Sequence, residues 1–281
     1  MLNNPPLEPP PPVLTAELFP GLLAELLDLL RALSPNDWDM PTVCEGWSVK
    51  DVALHLLGGE IGNLSKRRDD HTVGGTAKTW DELVEYLSHW NETWVDAARR
   101  ISPRLLIDLL ELTGGQMADY FAALDPLEKG SAVTWAGPEP APVWLVIARE
   151  YTERWHHQQH IRDAVGVPGA KSPRWMAPAL ATFVWALPRT FRAVSAPDGT
   201  SLTLTLSGDS GGRWSILRGD ERWRLVAGAP AHPDAEVTLP DDIAWRLFTH
   251  SIEPRFARKE MTFGGDMSLG LNVLQMTSII A

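Results

Sequence analysis

A change of periodicity near residue 170 constrains the fold more than any other feature. Before it, apolar residues recur at helical spacing: leucines run through 14–33, and Leu83, Leu87, Trp90 and Trp94 fall at i, i+4, i+7 and i+11. Beyond it, Ser201-Leu-Thr-Leu-Thr-Leu206 alternates with a period of two, the pattern of a half-buried strand. A stretch with one period cannot bury its apolar face in the other conformation. The chain therefore reads as an all-helical first part and an α+β second part. The boundaries this predicts are a proline-rich arm over 1–13, a helical bundle over 14–170 and a smaller α+β domain over 171–281.

Local signals place the elements. Ser34-Pro-Asn-Asp37 stops the first helix. Ser48, with Asp51 three residues on, forms a capping pair for a second helix that runs through His55 toward Lys66. Further helices are predicted over 79–100, over 105–124 with a break at Gly114-Gly115, and over 143–165, ended by Gly166 and Pro168. The second part should hold strands at 201–206, 213–217, 223–227, 235–239 and 261–263, a short helix after Asp241 and a last one near 269–276.

Composition narrows the partners. Hydrophobic residues make up 44% of 281, enough to bury the cores of two ordinary domains. A formal net charge of −11 argues against nucleic acid or an anionic membrane as the main partner, since both need a basic surface. Cys44 is the only cysteine, so no internal disulfide forms, which fits a reducing compartment. No apolar run reaches bilayer-spanning length. Met1 to Pro12, with six prolines and no positive charge, reads as a disordered or polyproline arm rather than a secretory signal. These features predict a cytoplasmic protein, monomer or homodimer, acting on a small molecule.

The chemistry concentrates in Glu153-Arg-Trp-His-His157-Gln-Gln-His160. On a helix, Glu153, His157 and His160 stack along one face, because positions three and four apart are neighbours. His55 lies in a different helix. One His from the first helix with Glu and His from the second gives three N/O donors for a divalent cation. Three protein donors leave a coordination position open for chemistry. Bundle cores are where antiparallel helices bring such stripes together.

His156 lies off the stripe. His160 reads as a fourth ligand, an orienting partner of His157 or a general base. Zinc is the default cation for mixed His/carboxylate ligation, with Ni²⁺ and Fe²⁺ as alternatives. Each feature taken singly has a blander reading. A lone His in an apolar helix is more often a hydrogen-bonded core residue, and Glu-x-x-x-His is common on solvated faces. Cys44, before a helix N-terminus that would stabilise a thiolate, could be a catalytic cysteine but reads first as a small packing residue of the turn that seats Trp47; Asp51 and Glu60 read as helix-surface charges before partners of the metal ligands.

The run Pro41-Thr-Val-Cys-Glu-Gly46-Trp47-Ser-Val-Lys-Asp51-Val-Ala-Leu-His55-Leu resembles the N-terminal signature of the mycothiol-dependent maleylpyruvate isomerase family, part of the DinB-like group of metal-binding four-helix bundles. Glu153-x-x-x-His157, closed by Ala164-Val-Gly166, extends the resemblance. Residues 234–248 and Phe263-Gly-Gly-Asp266 resemble a sterol-carrier-type α+β domain. What this implies is a metal site of His55, Glu153 and His157 with water in the open position, and a low-molecular-weight thiol such as mycothiol bound near the metal. It also implies an Arg contributed by the C-terminal domain, for which Arg246 and Arg255 are candidates. A metal-activated thiolate adding to a conjugated carbon would isomerise a small electrophile after rotation and elimination, or conjugate it if the adduct is kept. Metal-bound water in the thiol's place would hydrolyse. Metal or ligand binding without turnover is the non-catalytic alternative. His160 stands where the family usually has an acidic residue, so the substrate chemistry can differ from maleylpyruvate isomerisation.

Overall fold

The computed structural model describes residues 7–75, 77 and 79–279. A helical region precedes a sheet-containing region, as the periodicity predicts. The chain divides into two units. The first comprises Leu14–Pro126 and Glu150–Lys171; the second comprises residues 7–13, Leu127–Arg149 and Ser172–Ile279. The change of texture near 170 coincides with one of these divisions. The segment 127–149, expected within the bundle, groups with the sheet unit instead. Its first part is extended, β1 (Lys129–Ala132) pairing antiparallel with β2 (Pro140–Pro142), and residues 143–149 are the opening turns of the helix that follows.

The bundle unit is built on α1 (Phe19–Ala32), α2 (Val49–Asn63), α3 (Trp80–Ala98), α4 (Pro103–Ala122) and residues 150–165 of α5 (Val143–Val165). Leu26, Leu30, Val52, Leu57, Leu106, Leu110 and Ile161 share one buried cluster. Burying each Leu or Ile side chain is worth about 1.5–3 kcal/mol, which fixes the helix faces.

Ser48 opens α2 as a capping box: its hydroxyl accepts from the Asp51 amide at 3.3 Å, and Asp51 Oδ2 accepts from the Ser48 amide at 3.0 Å. Asp51 is also paired with Arg99 at 2.8 Å and is buried, so it is not the surface charge expected from sequence. Trp94 donates its indole N–H to the Leu54 carbonyl at 2.7 Å, holding α3 against α2. Gly58 makes this possible, since a Cβ there would fall 2.5 Å from the indole nitrogen.

The break expected at Gly114-Gly115 does not occur; α4 runs straight through. Gly114 is a packing notch, because a Cβ would lie 2.8 Å from the Leu23 methyls. Close approach of α1 to α4 is the reason for the glycine, and the helix geometry survives it.

In the second unit a five-stranded sheet has the order β5-β4-β3-β6-β7. Its strands are β3 (Ser201–Ser207), β4 (Gly212–Gly219), β5 (Arg222–Ala227), β6 (Ala235–Pro240) and β7 (Thr262–Gly265). β3, β4 and β5 form an antiparallel meander; β6 returns to pair parallel with β3, with Leu204 opposite Val237. Asp220 and Glu221 between β4 and β5 have φ of 49° and 59°, the two-residue turn whose twist matches a right-handed hairpin. β3 differs from the half-buried expectation. As the central strand it is covered on both faces, and its polar side is satisfied by Thr203 Oγ1 against Ser215 Oγ at 2.9 Å.

α6 (Pro173–Phe183), α7 (Leu187–Thr190), α8 (Asp241–Phe248), α9 (Pro254–Glu260) and α10 (Met267–Gly270) accompany the sheet. α9 was not legible as a helix. Of the arm expected to be disordered, residues 1–6 lie outside the described residues. From residue 7 it is seated in this unit: the Glu8 carbonyl accepts from the Ala227 amide at 2.9 Å, and Pro10 is buried. Among the described residues no helix is long and apolar enough to cross a membrane.

Candidate metal centre

The site is assembled from α2, the turn before it, and α5. The turn is locked by Thr42, whose hydroxyl donates to the Trp47 carbonyl at 2.8 Å while accepting from the Cys44 amide at 3.2 Å. Gly46, at φ 77°, provides the left-handed residue the turn needs. Trp47 then lies against His55, the rings tilted with centroids 5.1 Å apart. The far end of α5 is held by Trp155, which donates to the Ala170 carbonyl at 2.7 Å, and by Arg162, paired with Glu25 at 3.1 Å.

These elements bring His55, Glu153 and His157 together. Their ligand atoms all lie within 4.8 Å of one another, and His157 Nε2 is 3.7 Å from Glu153 Oε2. The His55 and His157 rings are 4.7 Å apart. His157 is buried, and its Nδ1 has no hydrogen-bond partner. Burial, and then the neighbouring His156, His55 and His160, hold His157 well below the ordinary imidazole value. Burial also lowers His55, opposed by the Glu153 carboxylate. Both rings are therefore neutral near pH 7, which is the form that donates a lone pair to a cation.

A buried imidazole nitrogen without a partner is expensive in a protein interior. Two neutral imidazoles and a carboxylate suit a borderline divalent ion with bonds of about 2.0–2.2 Å, whose tetrahedral donors sit about 3.3–3.6 Å apart. On donor chemistry and on the mutual approach of the three donors, the residues present fit such an ion.

His156 is turned away, with Nδ1 donating to the Thr152 carbonyl at 2.6 Å, and burial takes its pKa down to about 4. His160 is buried beside the trio, its ring 5.2 Å from that of His157. Its Nδ1 is 3.3 Å from Cys44 Sγ. Cys44 is thus more than a packing residue, although burial pushes its thiol up to about 11. Arg246 and Arg255 belong to the sheet unit, where each has a local carboxylate: Asp242 at 3.2 Å and Glu253 at 2.8 Å.

A buried ionic network lies beside the site, later along α2 at Glu60 and at Glu150 and Arg154 on α5. Glu60 Oε1 is 3.7 Å from Arg154 Nε, and Arg154 Nη1 is 3.1 Å from Glu150 Oε2, which also accepts from Asn63 Nδ2 at 3.0 Å. Thr113 donates to Glu60. Glu60 is therefore a core residue, not a helix-surface charge. The Glu60–Arg154 pair links α2 to α5 beside the candidate donors.

Residues 19–162, just over half of the chain, match the model of the mycothiol maleylpyruvate isomerase N-terminal domain family. A crystal structure of a histidine-to-alanine mutant of the mycothiol-dependent maleylpyruvate isomerase aligns with a TM-score of 0.51 at 12% identity, over 83% of this chain and 86% of that one. At that identity the likeness is one of fold. A crystal structure of the mycothiol-dependent maleylpyruvate isomerase aligns with a TM-score of 0.48 at 13% identity over the same shares. No curated protein matches the chain.

Proposed function

The chain belongs to the mycothiol maleylpyruvate isomerase N-terminal domain family, and on that premise we propose that it is a metal- and thiol-dependent enzyme that isomerises or S-conjugates a small electrophile. The observation that carries this reading is the convergence of His55 with Glu153 and His157, their donor atoms within 4.8 Å of one another and His157 Nε2 3.7 Å from Glu153 Oε2.

In this reading His55, Glu153 and His157 hold a divalent cation, with zinc the expected ion. A cation there would lower the pKa of a bound low-molecular-weight thiol below its free value of about 8.5, so that thiolate exists at neutral pH. The chain's own residues do the positioning. Trp47 against the His55 ring restricts its rotation, and the Thr42 turn holds Trp47 in place. Glu153 supplies the one negative charge of the donor set. Its side chain is 28% exposed and His55 is also partly exposed, whereas His157 is buried, so the set is reachable from solvent.

Thermal unfolding of zinc-loaded protein with and without mycothiol tests the proposal. A ligand at 100 times its Kd stabilises by about 2.7 kcal/mol. At about 2–4 °C per kcal/mol for domains of this size, the midpoint should rise by roughly 5–10 °C. The same midpoint in Glu153→Ala should not move. Equal midpoints for zinc-loaded wild type with and without mycothiol would remove the thiol from the account.

A further inference from the structure

The three-donor set leaves Cys44 and His160 without a role, yet the structure joins them to it. Cys44 is held from both sides: its amide donates to Thr42 Oγ1 at 3.2 Å and its carbonyl accepts from the Trp47 amide at 3.0 Å. Its Sγ is 3.3 Å from His160 Nδ1. The donor atoms of Cys44, His157 and His160 all lie within 4.8 Å of one another. His157 is 9% exposed, and its Nδ1 is unpartnered. A Cys–His hydrogen bond needs two side chains; this cluster has three, sharing a ring with the set already described. Cation bonds of about 2.3 Å to sulfur and 2.0–2.1 Å to nitrogen place tetrahedral S and N about 3.5 Å apart. The observed Sγ···Nδ1 separation is close to that.

Resting on the cation-centre reading above, we infer that Cys44 and His160 form a second arm of that centre, sharing His157, through which a thiophilic divalent cation is held by a protein thiolate. Forming the bond at Sγ releases the thiol proton to solvent. Thiolate ligation favours zinc and its soft congeners over magnesium, calcium or manganese. The two arms meet at His157, whose Nε2 is 3.7 Å from Glu153 Oε2 and whose Nδ1 has no hydrogen-bond partner.

Co²⁺ is the probe. Full-length protein loaded with Co²⁺ and no added thiol should show sulfur-to-cobalt charge-transfer absorption in the near ultraviolet. Cys44→Ser should lose that band while keeping the visible ligand-field bands, and His160→Ala should weaken it. Far-ultraviolet circular dichroism establishes that each variant is folded. A wild-type spectrum without the charge-transfer band, matching that of folded Cys44→Ser, would overturn the inference and leave the His55/Glu153/His157 reading standing. Failure of that reading looks different: Co²⁺ uptake would be insensitive to Glu153→Ala and to His55→Ala.

Discussion

Glu60 should make the protein less stable as the pH rises from 5 to 8. It is 2% exposed, faces Arg154 Nε at 3.7 Å and receives the Thr113 hydroxyl. Burial raises its carboxyl from 4.5 to about 7, while Arg154 and Thr113 pull the other way. A carboxyl whose pKa is raised in the folded state takes up a proton on folding, so the unfolding free energy falls as pH rises. Its contribution is complete below pH 4.5, declines across the interval to about 7, and is gone above it. That interval spans about two and a half pH units at about 1.4 kcal/mol each, roughly 3 kcal/mol in all, of which about 2.5 kcal/mol falls between pH 5 and 8. Glu60→Gln keeps the shape and cannot titrate. Urea unfolding of both proteins at pH 5 and pH 8 isolates the effect, because other titrating groups cancel in the difference. The stability of wild type relative to Glu60→Gln should fall by about 2–3 kcal/mol from the lower pH to the higher. A difference that stays constant with pH would mean that Glu60 is ionised throughout, and the burial argument would be wrong.

Asp51→Ala removes a reciprocal helix cap and should lower stability by about 1–2 kcal/mol, measured by chemical denaturation; the Arg99 pair adds little, since that guanidinium is half exposed. A loss below a few tenths of a kcal/mol would mean that the capping box does not hold α2. Gly114 and Gly115 should behave oppositely in thermal melts. Gly114→Val drives a side chain into Leu23 and should destabilise by about 1–3 kcal/mol, whereas Gly115→Ala meets no neighbour and should stabilise by up to about 1 kcal/mol. Equal responses would contradict the packing-notch account of Gly114.

The long helices and the strands of the five-stranded sheet were legible because period and punctuation agreed, whereas α9 and the β1–β2 pair were not. Ser48 and Asp51 capped α2 as read, and Gly166, at φ 69°, ends α5. The conflicts arose where tertiary packing overrides local propensity. Gly114-Gly115 carries a helix-breaking composition, but the close approach of Leu23 supplies a reason for glycine that only the folded chain shows. Glu60 and Asp51 read as surface charges because sequence spacing cannot say that Arg154 and Arg99 lie beside them. The approach of His55 to Glu153 and His157 followed from a helical stripe and an isolated histidine. The approach of Cys44 to His160 did not, because it depends on the exact path of a turn. A cysteine four residues before a helix cap, together with a histidine at the position where the family usually has an acid, was the signal available.

Metal content tests the central claim most directly. Wild type, His55→Ala, Glu153→Ala and His157→Ala would be purified identically, shown to be folded by circular dichroism, incubated with zinc, desalted and analysed. The account predicts a stoichiometric cation in wild type and its loss from folded His55→Ala and His157→Ala. Full wild-type metal content in those variants would contradict it.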